Sequence, residues 1–133
     1  MKIEQIETTV LEMPYTKPLV TATNNFTVAR GLLVKVITNG GLEGYGYSDL
    51  FPRTGETPET ARHVIESVLR AKVVGKDLED LGRVRADIDH TLTGNPRAKA
   101  ALETATMRWR EAIISRSFSC SEAVTEKKSK SSR

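Results

Sequence analysis

The sequence lacks the features that usually accompany export, disulfide bonding or membrane insertion. It has one cysteine, Cys120, so an internal disulfide is excluded, and this cysteine usage is typical of a reducing cytosol. Cys120 also has no neighbouring base that could activate it as a nucleophile. No apolar run is long enough to cross a bilayer, and Met1–Glu4 begins no apolar signal segment. We therefore expect a cytoplasmic protein without membrane attachment.

Motifs for phosphate, metal and acid–base chemistry are also missing. No Gly-x-x-x-x-Gly-Lys-Ser/Thr loop occurs, and the glycines of residues 40–46 do not match the dinucleotide fingerprint. The two histidines, His63 and His90, have no Cys or His partner at zinc-ligand spacing. Asp87 and Asp89 fall on different sides of a predicted helix, so they do not form a carboxylate pair. We predict no catalytic residue and no metal ligand in this chain.

The positive charge is concentrated at one end of the chain. Residues 106–133 hold seven Lys or Arg and three Asp or Glu, a net charge of +4, whereas residues 1–105 hold 13 basic and 14 acidic residues, a net charge of −1. A domain without a basic face is not expected to bind nucleic acid specifically. The Ser/Lys/Arg-rich end cannot bury apolar surface, and we predict that it is disordered.

Three strands are predicted in the first part of the chain, at Lys2–Leu11, Phe26–Thr38 and Leu42–Tyr47. Asn39–Gly41 forms a tight turn between the last two, because glycine tolerates positive φ. The second strand has a wholly apolar face, which should be the core face of an antiparallel sheet; it consists of Leu32, Val34 and Val36. Pro14–Asn25 is predicted to be an irregular loop.

Three helices are predicted in the second part. Pro58–Ala71 carries an apolar stripe and begins with Thr57 as its N-cap. Leu78–Leu92 has a second stripe, and Arg97–Ala105 is rich in alanine after a start at Asn95-Pro96. Three strands followed by three helices predict an α+β fold, with a three-stranded antiparallel meander covered by a helical bundle.

The stretch that joins sheet and helices carries the candidate binding surface. Its strand has Gly44 and Gly46 on one face, which indicates that another element approaches that face closely. Ser48–Glu56 then forms a polar and aromatic loop held by a strand and a helix, a common position for a binding site. A solvated connection is the alternative interpretation. Glu56 and Glu59 are predicted to lie near the positive end of the first helix, where the helix dipole stabilises their negative charges.

Six segments, in this order and spacing, resemble the N-terminal capping domain of the enolase superfamily, in its mandelate racemase and muconate lactonizing enzyme branch. The resemblance covers about residues 2–105, and the segments are Lys2–Thr8, Pro14–Pro18, Leu33–Val36, Gly41–Gly46, Thr54–Ala61 and Gly94–Glu103.

This resemblance implies a domain that closes over a (β/α)₈ barrel and shapes a pocket for a small carboxylate substrate. In the intact family, the barrel holds Mg²⁺ and the bases that remove a proton next to the carboxylate. The capping domain contributes two loops, which correspond here to residues 20–25 and 49–54. The residues implied to bind substrate are Thr21, Thr23, Asn24, Asp49, Phe51, Arg53 and Thr54.

The chain departs from the family pattern after Ala105, where no barrel follows. We therefore expect residues 1–105 to form the capping domain and residues 106–133 to form a divergent helix end and a disordered Ser/Lys/Arg-rich tail, as in a truncated or frameshifted gene. Such a fragment would be inactive alone. The face that normally meets the barrel would be exposed, and copies of the chain could associate through it as a homo-oligomer. Two alternatives remain at this stage: a non-enzymatic binding module with a basic tail, and one half of a split enzyme.

Overall fold

The computed structural model describes residues 1–20, 22, 25–50 and 52–109 of the 133. Its sheet consists of β1 (Ile3–Val20), β2 (Asn25–Thr38) and β3 (Glu43–Asp49), all antiparallel and in the order β1-β2-β3. The predicted three-stranded meander is therefore confirmed. The predicted disordered tail and Cys120 lie outside the described residues.

The turn between β2 and β3 has the predicted form. Gly41 has a φ of 77°, and its amide donates to the carbonyl of Thr38 at 3.0 Å. The buried Thr38 hydroxyl contacts both the amide and the carbonyl of Leu42 at 3.1 Å. These bonds close the turn and start β3 in a fixed register.

β1 is longer than predicted, because it continues through residues that the sequence assigned to a loop. Pro14 still pairs with Val28, and pairing resumes at Leu19 with Phe26 after a register shift. Proline has no backbone N–H to donate, so it disturbs a strand ladder locally. Here the pairing of β1 is interrupted between Pro14 and Leu19, a stretch that includes Pro18, but the strand does not end there.

The helices follow the predicted order. α1 (Pro58–Val64), a π-helical turn (Ile65–Leu69) and α2 (Arg70–Val73) form one continuous helical segment. α3 (Leu81–Thr91) and α4 (residues 96–109) follow. Within the described ranges, no helix is both long and apolar enough to cross a membrane.

Side-chain caps set where the helices begin. Thr57 and Thr60 form a reciprocal capping box at the start of α1, as the predicted N-cap requires. Asp80 caps α3 by accepting from the Arg83 amide at 3.4 Å, so α3 begins later than the predicted Leu78. Leu78 is nevertheless fully buried in the preceding turn.

The core lies between the sheet and the helices. The predicted apolar face of β2 is fully buried, and each helical segment contributes buried side chains to the same core cluster; examples are Ile65 and Leu69, Val84 and Ile88, and Leu102. α4 packs closely on β3, as the glycines predicted. A Cβ added to Gly44 or Gly46 would lie 2.1 Å from the Ala105 carbonyl oxygen or 2.0 Å from the Ala101 carbonyl oxygen, respectively. α4 extends past the predicted domain boundary at residue 105, with Trp109 6% exposed.

Candidate functional site

The loop between β3 and α1 is folded back against the sheet. Leu50, directly after Asp49, is 2% exposed, and its amide donates to the carbonyl of Arg30 at 3.1 Å. A 3₁₀ turn follows at Pro52–Thr54. Gly55 then has a φ of 81°, which glycine adopts without steric strain. The described residues of this loop are therefore held against the sheet, and they present polar side chains at one end of it.

The structure describes three of the seven predicted substrate-binding residues, and all three are exposed: Asp49 at the end of β3, and Arg53 and Thr54 in this loop. The other four lie outside the described residues: Thr21, Thr23, Asn24 and Phe51. Substrate contact by any of the seven stays a prediction.

The paired strand ends at Val20 and Asn25 lie at the same end of the sheet as the end of β3, but the β1–β2 hairpin projects further. Asp49 at the end of β3 pairs with Gly31, whereas the hairpin continues to the pair of Val20 with Asn25. Gly31 and Asn25 are six positions apart in β2, or about 20 Å along a strand. The described candidate residues therefore lie at the end of β3 and in the loop after it, near the base of this hairpin.

Tyr47 orients the carboxylate of Asp49. Its phenol oxygen donates to Asp49 Oδ1 at 2.7 Å, and its ring covers Gly31, where a Cβ would lie 2.3 Å from that oxygen. Burial of the ring and, next, the bond to Asp49 raise the pKa of Tyr47 to about 12. The phenol therefore stays protonated at neutral pH and remains a donor to Asp49.

Arg30 connects the hairpin to the first helix. Its Nε donates to Glu12 of β1 at 2.9 Å, and its Nη2 donates to Glu59 of α1. Glu59 and then Glu12 raise the pKa of Arg30, and the bond from Arg30 lowers the pKa of Glu59. All three side chains are partly exposed to solvent, so these pairs orient neighbouring elements more than they stabilise them.

Glu56 is the important residue of this region whose role the sequence did not predict. It is 3% exposed, and its two carboxylate oxygens accept from the amides of Arg97 at 3.1 Å and Ala98 at 3.2 Å. The sequence had placed Glu56 near the positive end of α1 and the start of the last helix at Asn95-Pro96. That start is correct, because the Asn95 carbonyl accepts from the Lys99 amide at 3.1 Å. The Glu56 carboxylate, however, binds the first amides of α4, and Asn95 itself has a left-handed φ of 54°. The bonded residues are 41 and 42 positions apart, so no local pattern indicates this contact.

Arg97 makes a second connection between this loop and α4. Its Nη1 donates to the carbonyl oxygen of Asp49 at 2.9 Å, while its own amide donates to Glu56. The first turn of α4 therefore binds both ends of the segment from Asp49 to Glu56.

The described residues do not fit a magnesium site. Among residues 1–20, 22, 25–50 and 52–109, no three or more His, Cys, Asp or Glu side chains are grouped so that they could hold a metal ion. His63 and His90 are exposed helix residues, and the His63 Nδ1 lies 3.4 Å from the Ser67 hydroxyl. What the arrangement offers chemically is a set of hydrogen-bonding and charged side chains for binding and orienting a polar ligand.

A meander that leads through a polar loop into three helices defines an α+β domain of the enolase N-terminal type. The family described as "Mandelate racemase / muconate lactonizing enzyme, N-terminal domain" matches residues 5–109. The chain belongs to this family through that domain.

Two relatives with similar sequences support this assignment. The L-Ala-D/L-Glu epimerase of Bacillus subtilis (strain 168) is 36% identical over 106 residues, which are 79% of this chain and 29% of the epimerase. A chloromuconate cycloisomerase of Delftia acidovorans is 36% identical over an alignment of 110 residues that covers 79% of this chain and 29% of the relative.

Solved structures show the same fold. The substrate-liganded Bacillus subtilis epimerase matches with a TM-score of 0.75 and 36% identity, covering 79% of this chain and 30% of the epimerase. The 2-chloromuconate cycloisomerase from Rhodococcus opacus 1CP matches with a TM-score of 0.81 and 29% identity, covering 86% of this chain and 32% of the cycloisomerase. The chain thus spans about three-tenths of the length of these relatives, and most of each relative has no counterpart in it.

Proposed function

We propose that this chain is the substrate-specificity domain of a Mg²⁺-dependent racemase, epimerase or cycloisomerase that removes a proton next to a carboxylate. The observation that carries the proposal is the match of residues 5–109 to the N-terminal domain of the family. The domain would cover the mouth of a barrel and restrict which carboxylate substrates enter the pocket.

The binding roles follow from side-chain chemistry. The exposed guanidinium of Arg53 would pair with an anionic group of the substrate. Asp49, oriented by Tyr47, and Thr54 would accept or donate hydrogen bonds at the same edge. Phe51 would exclude water from the pocket. The residues implied to contact the distal polar group of the substrate are Thr21, Thr23 and Asn24.

The chain alone would be inactive, because the family's metal ligands and bases belong to the barrel. Among the described residues, no three or more His, Cys, Asp or Glu side chains are grouped so that they could hold a metal ion. Residues 1–105 would be the functional unit of this chain, in the cytoplasm, and the barrel would be the partner that completes the site.

A fusion protein tests this proposal. Residues 1–109 replace the matching N-terminal segment of the Bacillus subtilis epimerase, and epimerisation of L-Ala-L-Glu is measured with Mg²⁺. We expect turnover by the fusion and none by the unfused chain under the same conditions. A folded fusion without turnover contradicts the capping role, and turnover by the chain alone contradicts its inactivity.

Variants of the fusion test the site. Arg53→Ala should raise the KM for L-Ala-L-Glu by about tenfold, because a charge-assisted hydrogen bond is lost. Arg62→Ala, an exposed arginine on α1, is the matched control and should leave KM unchanged. Equal KM values for the two variants would remove Arg53 from the binding site.

A further inference from the structure

The segment from Asp49 to Glu56 is fastened at both ends to one turn of α4. At its start, the Asp49 carbonyl accepts from the Arg97 guanidinium at 2.9 Å. At its end, the Glu56 carboxylate accepts from the Arg97 and Ala98 amides at 3.1 and 3.2 Å. We call these three bonds the loop anchor.

The Glu56 bonds of the loop anchor also cap the start of α4. A carboxylate that is 3% exposed loses most of its hydration, so its charge needs close partners inside the protein. The first amides of a helix have no partner within the helix, and they carry the positive end of its dipole. Glu56 therefore satisfies two otherwise unpaired donors, and α4 in turn stabilises the buried charge.

The exposed residues of the loop lie between these fixed ends. Leu50 is buried, the 3₁₀ turn covers Pro52–Thr54, and Arg53 and Thr54 remain exposed. Seven peptide bonds separate Asp49 from Glu56, so fixing both ends reduces the number of backbone conformations open to Arg53 and Thr54.

We propose that Glu56 and Arg97 are positioning residues, which hold the loop so that Arg53 and Thr54 meet the substrate in one geometry. The positioning role rests on the proposed function, whereas the loop anchor itself does not. Neither residue touches substrate in this proposal. Both act through the conformation of the loop, and they set substrate selectivity in this way.

Trypsin digestion of the full chain tests the loop anchor. Cleavage after Arg53 requires local opening of the loop, and its rate follows the population of the open form. Glu56→Gln and Arg97→Ala should each raise this rate by about tenfold, because each removes a charge-assisted bond. The second variant leaves the Glu56 contact with the two amides intact, so it separates loop opening from loss of the α4 cap.

Matched controls are Glu79→Gln and Arg83→Ala, which change exposed residues around the start of α3. They should leave cleavage after Arg53 at the rate of the unchanged chain. Hydrogen exchange of the Leu32, Val34 and Val36 amides in the central strand reports global unfolding. If cleavage after Arg53 rises only in proportion to this exchange, the loop anchor is overturned.

Selectivity of the fusion protein tests the positioning role. The kcat/KM for L-Ala-L-Glu is divided by that for L-Ala-L-Ala, which lacks the side-chain carboxylate. Glu56→Gln should lower this ratio by about tenfold, close to the value for Arg53→Ala, whereas Glu79→Gln should not change it. A general loss of stability would lower both kcat/KM values together and leave the ratio unchanged.

The outcomes separate the two proposals. An active fusion whose ratio is unaffected by Glu56→Gln overturns the positioning role and leaves the proposed function in place. A folded but inactive fusion overturns the proposed function and the positioning role with it, even if trypsin digestion supports the loop anchor.

Discussion

Replacing Gly46 by alanine should destabilise the domain strongly, because α4 lies directly on β3 at this position. The added Cβ would be 2.0 Å from the carbonyl oxygen of Ala101 and 2.8 Å from the amide nitrogen of Ala105. Ordinary carbon contacts are about 3.5 Å or more. The helix backbone would therefore have to move away from the strand by more than about 1 Å.

The surroundings of this contact set how much free energy of unfolding the Gly46→Ala variant loses. Ala101 and Ala105 are 1% and 0% exposed, and the atoms that clash belong to the backbone, so no flexible side chain can rotate away. Overpacking a tight core costs about 1–3 kcal/mol, and we expect about 3 kcal/mol here. For a domain of this size, that loss lowers Tm by on the order of 10 °C.

Thermal and urea unfolding of the full chain, followed by circular dichroism, measures this effect. Gly82→Ala is the matched control, because the same substitution in α3 meets no atom within 4 Å. Alanine is the better helix former, so this control should gain up to about 0.5–1 kcal/mol. If Gly46→Ala unfolds at the temperature of the unchanged chain, the close packing of α4 on β3 is refuted.

Two further predictions concern Tyr47 and Thr57. The pKa of Tyr47 is about 12 in the folded protein and about 10 in an unfolded chain. The protonated phenol therefore contributes fully to the free energy of unfolding below pH ~10, and this contribution is lost as the pH rises towards 12. Urea unfolding between these values should show a smaller loss of stability for Tyr47→Phe than for the unchanged chain; equal losses would contradict the shift. Thr57→Ala should lower the free energy of unfolding by about 1 kcal/mol, because it removes the capping box with Thr60. Thr57→Ser should retain most of that stability, and an alanine variant as stable as the serine variant would contradict the role of this cap.

Local patterns in the sequence were sufficient to predict the order and type of the elements. Alternation of apolar residues in β2 identified its buried face, and glycine chemistry identified the turn at Gly41. Gly44 and Gly46 also indicated a closely approached strand face, although not which element approaches it. These predictions succeeded because strand periodicity and turn conformation depend on residues a few positions apart.

The sequence by itself therefore determined the α+β class, the family and the segment that carries the candidate loop. Only the tertiary structure decided how that loop is held: the contacts of Glu56 and Arg97 join residues about 40 to 50 positions apart. It also decided that β1 continues past Pro14, because pairing with β2 tolerates an interrupted ladder. Contacts of this kind depend on which elements become neighbours when the core packs, and neighbouring residue types along the chain do not encode them.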